Sequence, residues 1–211
     1  MIKEFCAENF TDVPKAIAAG ASRIELCDNL LVGGTTPGID VIEMTTQYAH
    51  EKQIPVMCMI RPRGGNFIYN DLELKIMETD ILEVGKHGVD GVVFSALNEE
   101  SWLDEEGLEQ LLMVAGGMQV TFHMAFDQIP EDKQLVAIDW LASHNVTRIL
   151  THGGDLQNPI SDYFAKIKRL VDYTQGKIAI LAGGGITYQN FSEVIKMTGV
   201  KEVHGTKIVK F

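Results

Sequence analysis

The chain contains no apolar run approaching the roughly 18 residues that a membrane span needs, so no helix is expected to cross a bilayer. It also lacks any cluster of lysine and arginine, and over 211 residues its formal net charge is −11. A polyanion needs a basic track, so DNA, RNA and anionic membrane surfaces are excluded as expected partners. Cysteine is scarce and odd in number, with three in all, which does not make a disulfide framework. Low-complexity segments and interdomain linkers are missing as well. With 45% hydrophobic and 22% charged residues, residues 1–211 read as a single globular domain. The opening Met1-Ile2-Lys3-Glu4-Phe5 has no signal-peptide layout and starts a strand pattern. A cytoplasmic location is the expectation.

What is present is an alternation of short β-rich runs with longer helical patterns. Strands are predicted near Ile2–Ala7, Arg23–Cys27, Pro55–Arg61, Gly91–Ser95, Gln119–His123, Arg148–Thr151, Lys177–Ala182 and Glu202–His204. They recur roughly every 20 to 36 residues, the period of a β/α unit. Two of the helices between them are predicted over Asp40–Lys52, with Val41, Met44, Thr45 and Tyr48 on one stripe, and over Asp132–His144, with Leu135, Ile138 and Leu141. Gly20, Gly88 and Gly199 stand where helices should stop. Eight parallel strands in one domain close most naturally into a (β/α)8 TIM barrel, which leaves no sheet edge. The doubly wound alternative would favour a G-x-G-x-x-G turn after the first strand, and there is none. Only seven residues follow His204, so the eighth outer helix is expected to be missing. Another subunit is expected over the gap, as in a homodimer or higher homo-oligomer.

Side chains on a strand alternate between the barrel interior and the helix layer. The apolar sets (Phe5 with Ala7, Ile24 with Leu26, Val56 with Cys58 and Ile60) belong against the helices. That parity leaves Glu4, Cys6, Glu25, Cys27, Met57, Met59, Arg61, Thr121, His123, Glu202 and His204 for the interior. Barrel cores are normally packed with branched apolar residues, and carboxylates are seldom buried unpaired. A polar cavity at the C-terminal ends of the strands accounts for this composition. The competing reading is an internal Glu–Arg network that only holds the barrel in register. Three glycine-rich loops fall at the same end: Val32 to Gly38, Arg61 to Asn66, and Gly183-Gly184-Gly185-Ile186-Thr187. The last lies where barrels commonly bind phosphate, beside His204-Gly205-Thr206-Lys207. His50, His87 and His144 are expected at helix C-termini on the surface, and Trp102 and Trp140 in packing roles.

Several of these blocks resemble the copper homeostasis protein CutC family. They are Arg23-Ile24-Glu25-Leu26-Cys27, Gly33-Gly34-Thr35-Thr36-Pro37, and Met59-Ile60-Arg61-Pro62-Arg63-Gly64-Gly65. Val120-Thr121-Phe122-His123, Ala125-Phe126-Asp127, Ile149-Leu150-Thr151, the Gly183–Thr187 block and Glu202-Val203-His204 continue the likeness to the last strand. Met124 departs from an arginine usual there, and Asn66, His152 and Thr206 are further departures. The resemblance implies a cytosolic, self-associating barrel and a Cu(I) role for Cys6 and Cys27. Soft thiolates on neighbouring strands suit Cu(I), with Met57 or Met59 as nearby thioethers.

Two functional expectations follow. One is a Cu(I)-binding protein using Cys6 and Cys27. The other is an isomerase, lyase or hydrolase acting on a small anionic or phosphorylated metabolite. In that enzyme His123 would be the general acid/base, with Glu4 or Glu25 orienting it or carrying a second proton. Arg61 and Arg63 would neutralise the substrate, with Asp127 and His204 as supporting partners. Thr151, Gly184, Gly185 and Thr206 would hold the substrate. The chain has no H-E-x-x-H or C-x-x-C motif and no inner-strand lysine, so a tight zinc site and Schiff-base chemistry are not expected. A barrel acting chiefly as an interaction module is the remaining class.

Overall fold

The computed structural model describes all of residues 1–211. It alternates β1 (Ile2–Glu8), α1 (Val13–Ala18), β2 (Arg23–Cys27), α2 (Ile39–Glu51), β3 (Val56–Met59), α3 (Asp71–Lys86), β4 (Gly91–Phe94) and α4 (Glu105–Ala115). The second half continues with β5 (Gln119–Phe122), α5 (Gln134–Ser143), β6 (Arg148–Thr151), α6 (Phe164–Thr174), β7 (Ala179–Ala182), α7 (Phe191–Thr198) and β8 (Glu202–Gly205). All neighbouring strands pair in parallel, and β8 returns to β1 to close the barrel. At the seam Glu4 lies opposite His204, and on the other side of β1 it lies opposite Arg23. The first and last strands thus bring together Glu4 and His204, 200 positions apart in sequence.

Strand alternation divides the apolar residues into two cores. Phe5, Ile24, Leu26, Val56, Ile60, Phe94, Phe122 and Val203 face outward and pack against the helices in one large cluster. Each such side chain contributes about 1.5–3 kcal/mol when withdrawn from water. Inside the barrel a much smaller cluster holds Cys6, Cys27, Met57, Met59 and Val93. Gly91 makes room for it, because a Cβ there would stand 2.5 Å from the Gln119 carbonyl oxygen and closer still to Met57. Helix starts follow local chemistry. Asn70 opens α3 with a capping box, accepting from the Leu72 and Glu73 amides at 3.0 Å each while Glu73 accepts from the Asn70 amide at 3.1 Å.

Some expectations shift by a residue or two. α2 buries Ile42, Thr45, Thr46 and Ala49, while Met44 is exposed, so the buried face is rotated from the predicted stripe. α5 begins only at Gln134, after a 3-10 turn over Glu131–Lys133. No helix follows β8. The gap in the ring is covered from within the chain, since Ile208 and Val209 are buried and Phe211 meets Phe5 edge-on at 5.8 Å. This segment is anchored where the Tyr188 amide donates to the Lys207 carbonyl at 2.8 Å. Cover by a second subunit is therefore not required to bury Phe5.

Candidate functional site

The barrel interior is stacked in two polar layers. In the lower layer Arg23 donates to Glu4 and, at 2.6 Å, to Glu202. Arg148 approaches the Glu202 carboxylate at 3.2 Å and donates to Thr121 at 3.1 Å and to Gln119. Cation and anion alternate across this floor, and Arg148 Nε, which makes no hydrogen bond, still lies 3.2 Å from the Glu202 carboxylate. Burial alone would raise the Glu4 pKa, but the Arg23 charge and a hydrogen bond from His204 lower it to about 2.

The His204 imidazole joins the two layers. Its Nδ1 donates to Glu4 at 2.8 Å, while Nε2 lies 3.6 Å from the Glu25 carboxylate above. Burial opposes a charge on His204, yet Glu25 and Glu4 hold its pKa well above the ordinary histidine range. Glu25 is in turn raised by burial, and its Oε1 has no hydrogen-bond partner at all.

Above this joint opens a cavity of about 410 Å³. Its polar lining is Cys6, Glu25, Cys27, Arg61, His123, His204 and Thr206, and its apolar collar includes Leu30, Val32, Phe67, Met124, Leu150 and Leu156. The donor atoms of Cys6, Glu25 and Cys27 lie within 4.8 Å of one another, as do those of Glu4, Glu25 and His204. The Cys27 thiol donates to Glu25 at 3.5 Å. Hydrogen bonding with Cys27 lowers the Cys6 pKa well below the usual thiol range, with His204 adding to the effect and burial opposing it. Cys27 moves the other way through the same bond, its burial and the Glu25 charge. Gly34 closes over this pair with φ of +88°, and a Cβ there would stand 3.2 Å from the Cys27 sulfur. Cys58 faces the helix layer, where burial raises its pKa.

Arg61 is positioned by its loops. Its guanidinium donates to the carbonyls of Val32 at 2.8 Å, Gly34 at 2.9 Å and Gly65 at 2.8 Å, and it stacks over Phe67. The Nε of Arg61 is buried without a partner, and so is the Tyr69 hydroxyl. His123 accepts the Ala125 amide at Nδ1 (3.2 Å) and lies 3.0 Å from Ser95 Oγ at Nε2. Burial and the Arg61 charge lower its pKa to about 3, so it is a neutral ring with both nitrogens engaged.

The cavity thus unites Cys6, Cys27, Glu25, Arg61, His123, His204 and Thr206, with Glu4 directly beneath. The remaining candidates lie elsewhere. Arg63 pairs with Glu73 at the start of α3 and donates to the Ile68 carbonyl at 2.7 Å, away from the cavity. Asp127 is consumed in holding the loop after β6, where it accepts from Thr151 and from the amides of His152 at 2.8 Å and Gly153 at 3.1 Å. Thr151 is therefore tied to that loop and does not face the cavity. Gly184 and Gly185 line a separate crevice of about 230 Å³ with His152 and Asn158. Sequence reasoning missed Arg23 and Arg148, although strand parity with Glu25 and Leu150 could have placed both in the interior. Ser95, on the same face as Val93, could have been found in the same way.

Comparison with known proteins places these residues in context. A family model described as the CutC family matches residues 1–209. A family protein CutC of Enterococcus faecalis is 58% identical over 209 residues, covering 99% of this chain and 100% of the relative. The copper homeostasis protein cutC homolog of Mus musculus is 38% identical over 203 residues, covering 96% and 72% of the two chains. A crystal structure described as that of CutC from Streptococcus agalactiae superposes with a TM-score of 0.97 at 49% identity, covering 99% and 100%. An aldolase, QR15, matches with a TM-score of 0.68 at 12% identity over 98% of this chain and 89% of its own. That last likeness extends to the barrel fold alone.

Proposed function

The chain belongs to the CutC family, and from that premise we propose that it binds Cu(I) as cargo through Cys6 and Cys27 at the base of the cavity. The observation that carries this reading is the cluster of two reduced thiols and the Glu25 carboxylate, with donor atoms within 4.8 Å of one another. Thiolate sulfur is the donor that Cu(I) prefers, and Met59 lines the same cavity. Cys6, the more acidic thiol, would engage the metal first, and Cys27 would follow on losing its proton. Glu25, with one oxygen unpaired, is placed to take up that proton. His204, oriented by Glu4, keeps a positive charge beside the thiolates and offsets their mutual repulsion. Three free, buried cysteines fit a reducing compartment such as the cytoplasm.

A competitive titration against a bathocuproine-type Cu(I) chelator tests this reading. The parent protein should take one Cu(I) per chain from the chelator, and Cys6→Ser and Cys27→Ser should each lose that ability. Equal uptake by all three would end the reading. The enzyme reading with His123 as acid/base draws less support. A ring neutral down to about pH 3, with both nitrogens engaged, is poorly placed to exchange protons near pH 7.

A further inference from the structure

A single copper ion needs little of the cavity that stands over the cysteines. About 410 Å³ lies within the range of pockets that enclose small organic molecules, whereas one water takes about 30 Å³. The part of the wall next to the metal donors, where Gly34 lies between Cys27 and Arg61, carries an imbalance. Of the five arginines in the chain, Arg23, Arg63, Arg148 and Arg169 all meet a carboxylate. Arg61 meets none, although it is only 3% exposed. Three of its five N–H groups go to backbone carbonyls, and its remaining polar neighbour, the Tyr69 hydroxyl, carries no charge to balance it. A buried cation without a counter-charge is costly unless a ligand supplies one.

We propose that the cavity binds a compact organic carboxylate, whose charged end supplies the anion Arg61 lacks and whose apolar body lies against Leu30, Phe67 and Leu156. A planar carboxylate is the anion whose charge and shape a guanidinium pairs with best. Phosphate asks for more donors, and Gly184 and Gly185, whose backbone N–H groups would provide them, line the neighbouring crevice on the far side of Leu156. This site stands apart from the copper reading, since it needs neither thiol.

Calorimetric titration of the metal-free protein at low ionic strength tests it, with hexanoate and its neutral analogue hexanamide as probes. Hexanoate should bind saturably at one site, and hexanamide about tenfold or more weakly. Inorganic phosphate should fail to displace hexanoate. Leu156→Trp, a change at an exposed position on the cavity rim, should abolish binding by filling the space. Arg61→Lys should weaken it about tenfold with circular dichroism unchanged. If that variant does not fold, the amide comparison and Leu156→Trp decide. Equal affinity for hexanoate and hexanamide, no hexanoate binding, displacement by phosphate, or full binding by Leu156→Trp would each overturn the proposal. Cys6→Ser and Cys27→Ser should bind hexanoate as the parent does, so failure of the copper reading and failure of this one are separately visible.

Discussion

The floor of the barrel and its mouth are built from the same strands, one layer apart, yet they treat charge in opposite ways. On the floor, Glu4, Arg23, Glu202 and Arg148 neutralise one another and are tied to Gln119 and Thr121. At the mouth, Glu25 keeps an oxygen unpaired, Arg61 donates only to backbone carbonyls and meets no carboxylate, and two thiols face each other unoxidised. A set of buried groups that satisfy one another holds a fold together. A set left incomplete beside a cavity has donors and acceptors to spare for something else. The internal salt-bridge network and the polar cavity, competing readings of one list of residues, both exist and occupy different layers.

The sharpest way to break this contrast is to remove one ion from each layer. Arg23→Met should cost about 3–5 kcal/mol in urea unfolding, because the buried Glu4 loses its cation and Glu202 is left with Arg148 alone. A loss below about 1 kcal/mol would mean that the floor network is dispensable. Acid should separate the layers next. His123 has its folded pKa lowered to about 3 from 6.5, so the unfolded chain binds the extra proton and stability falls as pH drops through that window. Glu4, lowered to about 2 from 4.5, adds its loss only below about pH 4.5. Unfolding free energies from pH 7 to 3 should therefore decline less steeply in His123→Gln than in the parent. The difference should reach a few kcal/mol at the acid end. Parallel curves would show that His123 is not held neutral. The smallest effect is expected at Glu25. Its carboxyl is raised by burial and half unpaired, so Glu25→Gln should change stability by about 1 kcal/mol or less. A loss as large as that of Arg23→Met would place Glu25 in the floor network after all.

How much of this was legible in the sequence follows from periodicity. Eight β-rich runs separated by helical stretches, with no fingerprint for an open sheet, were enough for the barrel, and period-two parity sent Glu4, Cys6, Glu25, Cys27 and Arg61 inward. Parity carries no information on which polar residues pair. Arg23 and Arg148 stood on inward positions in plain view, but nothing local marks them as the partners of Glu4 and Glu202, which β1 and β8 bring together only on closure. Loop residues were harder still. Asp127 and Arg63 have the chemistry of a site and spend it on a loop and a helix start, because a side chain beyond a strand end no longer obeys alternation, while Thr151, still inside β6, shares the outward parity of Ile149. Gly184 and Gly185 lie at the expected end of the barrel but one crevice away from the cavity.

The central claim is that the incomplete mouth, through its sulfur atoms, holds the metal. Copper K-edge X-ray absorption on the protein loaded with one Cu(I) per chain reads those atoms directly. The account predicts a nearest shell of two sulfurs that Cys27→Ser reduces and Cys58→Ser leaves intact. A shell of nitrogen or oxygen, or one that Cys27→Ser leaves unchanged, would contradict it.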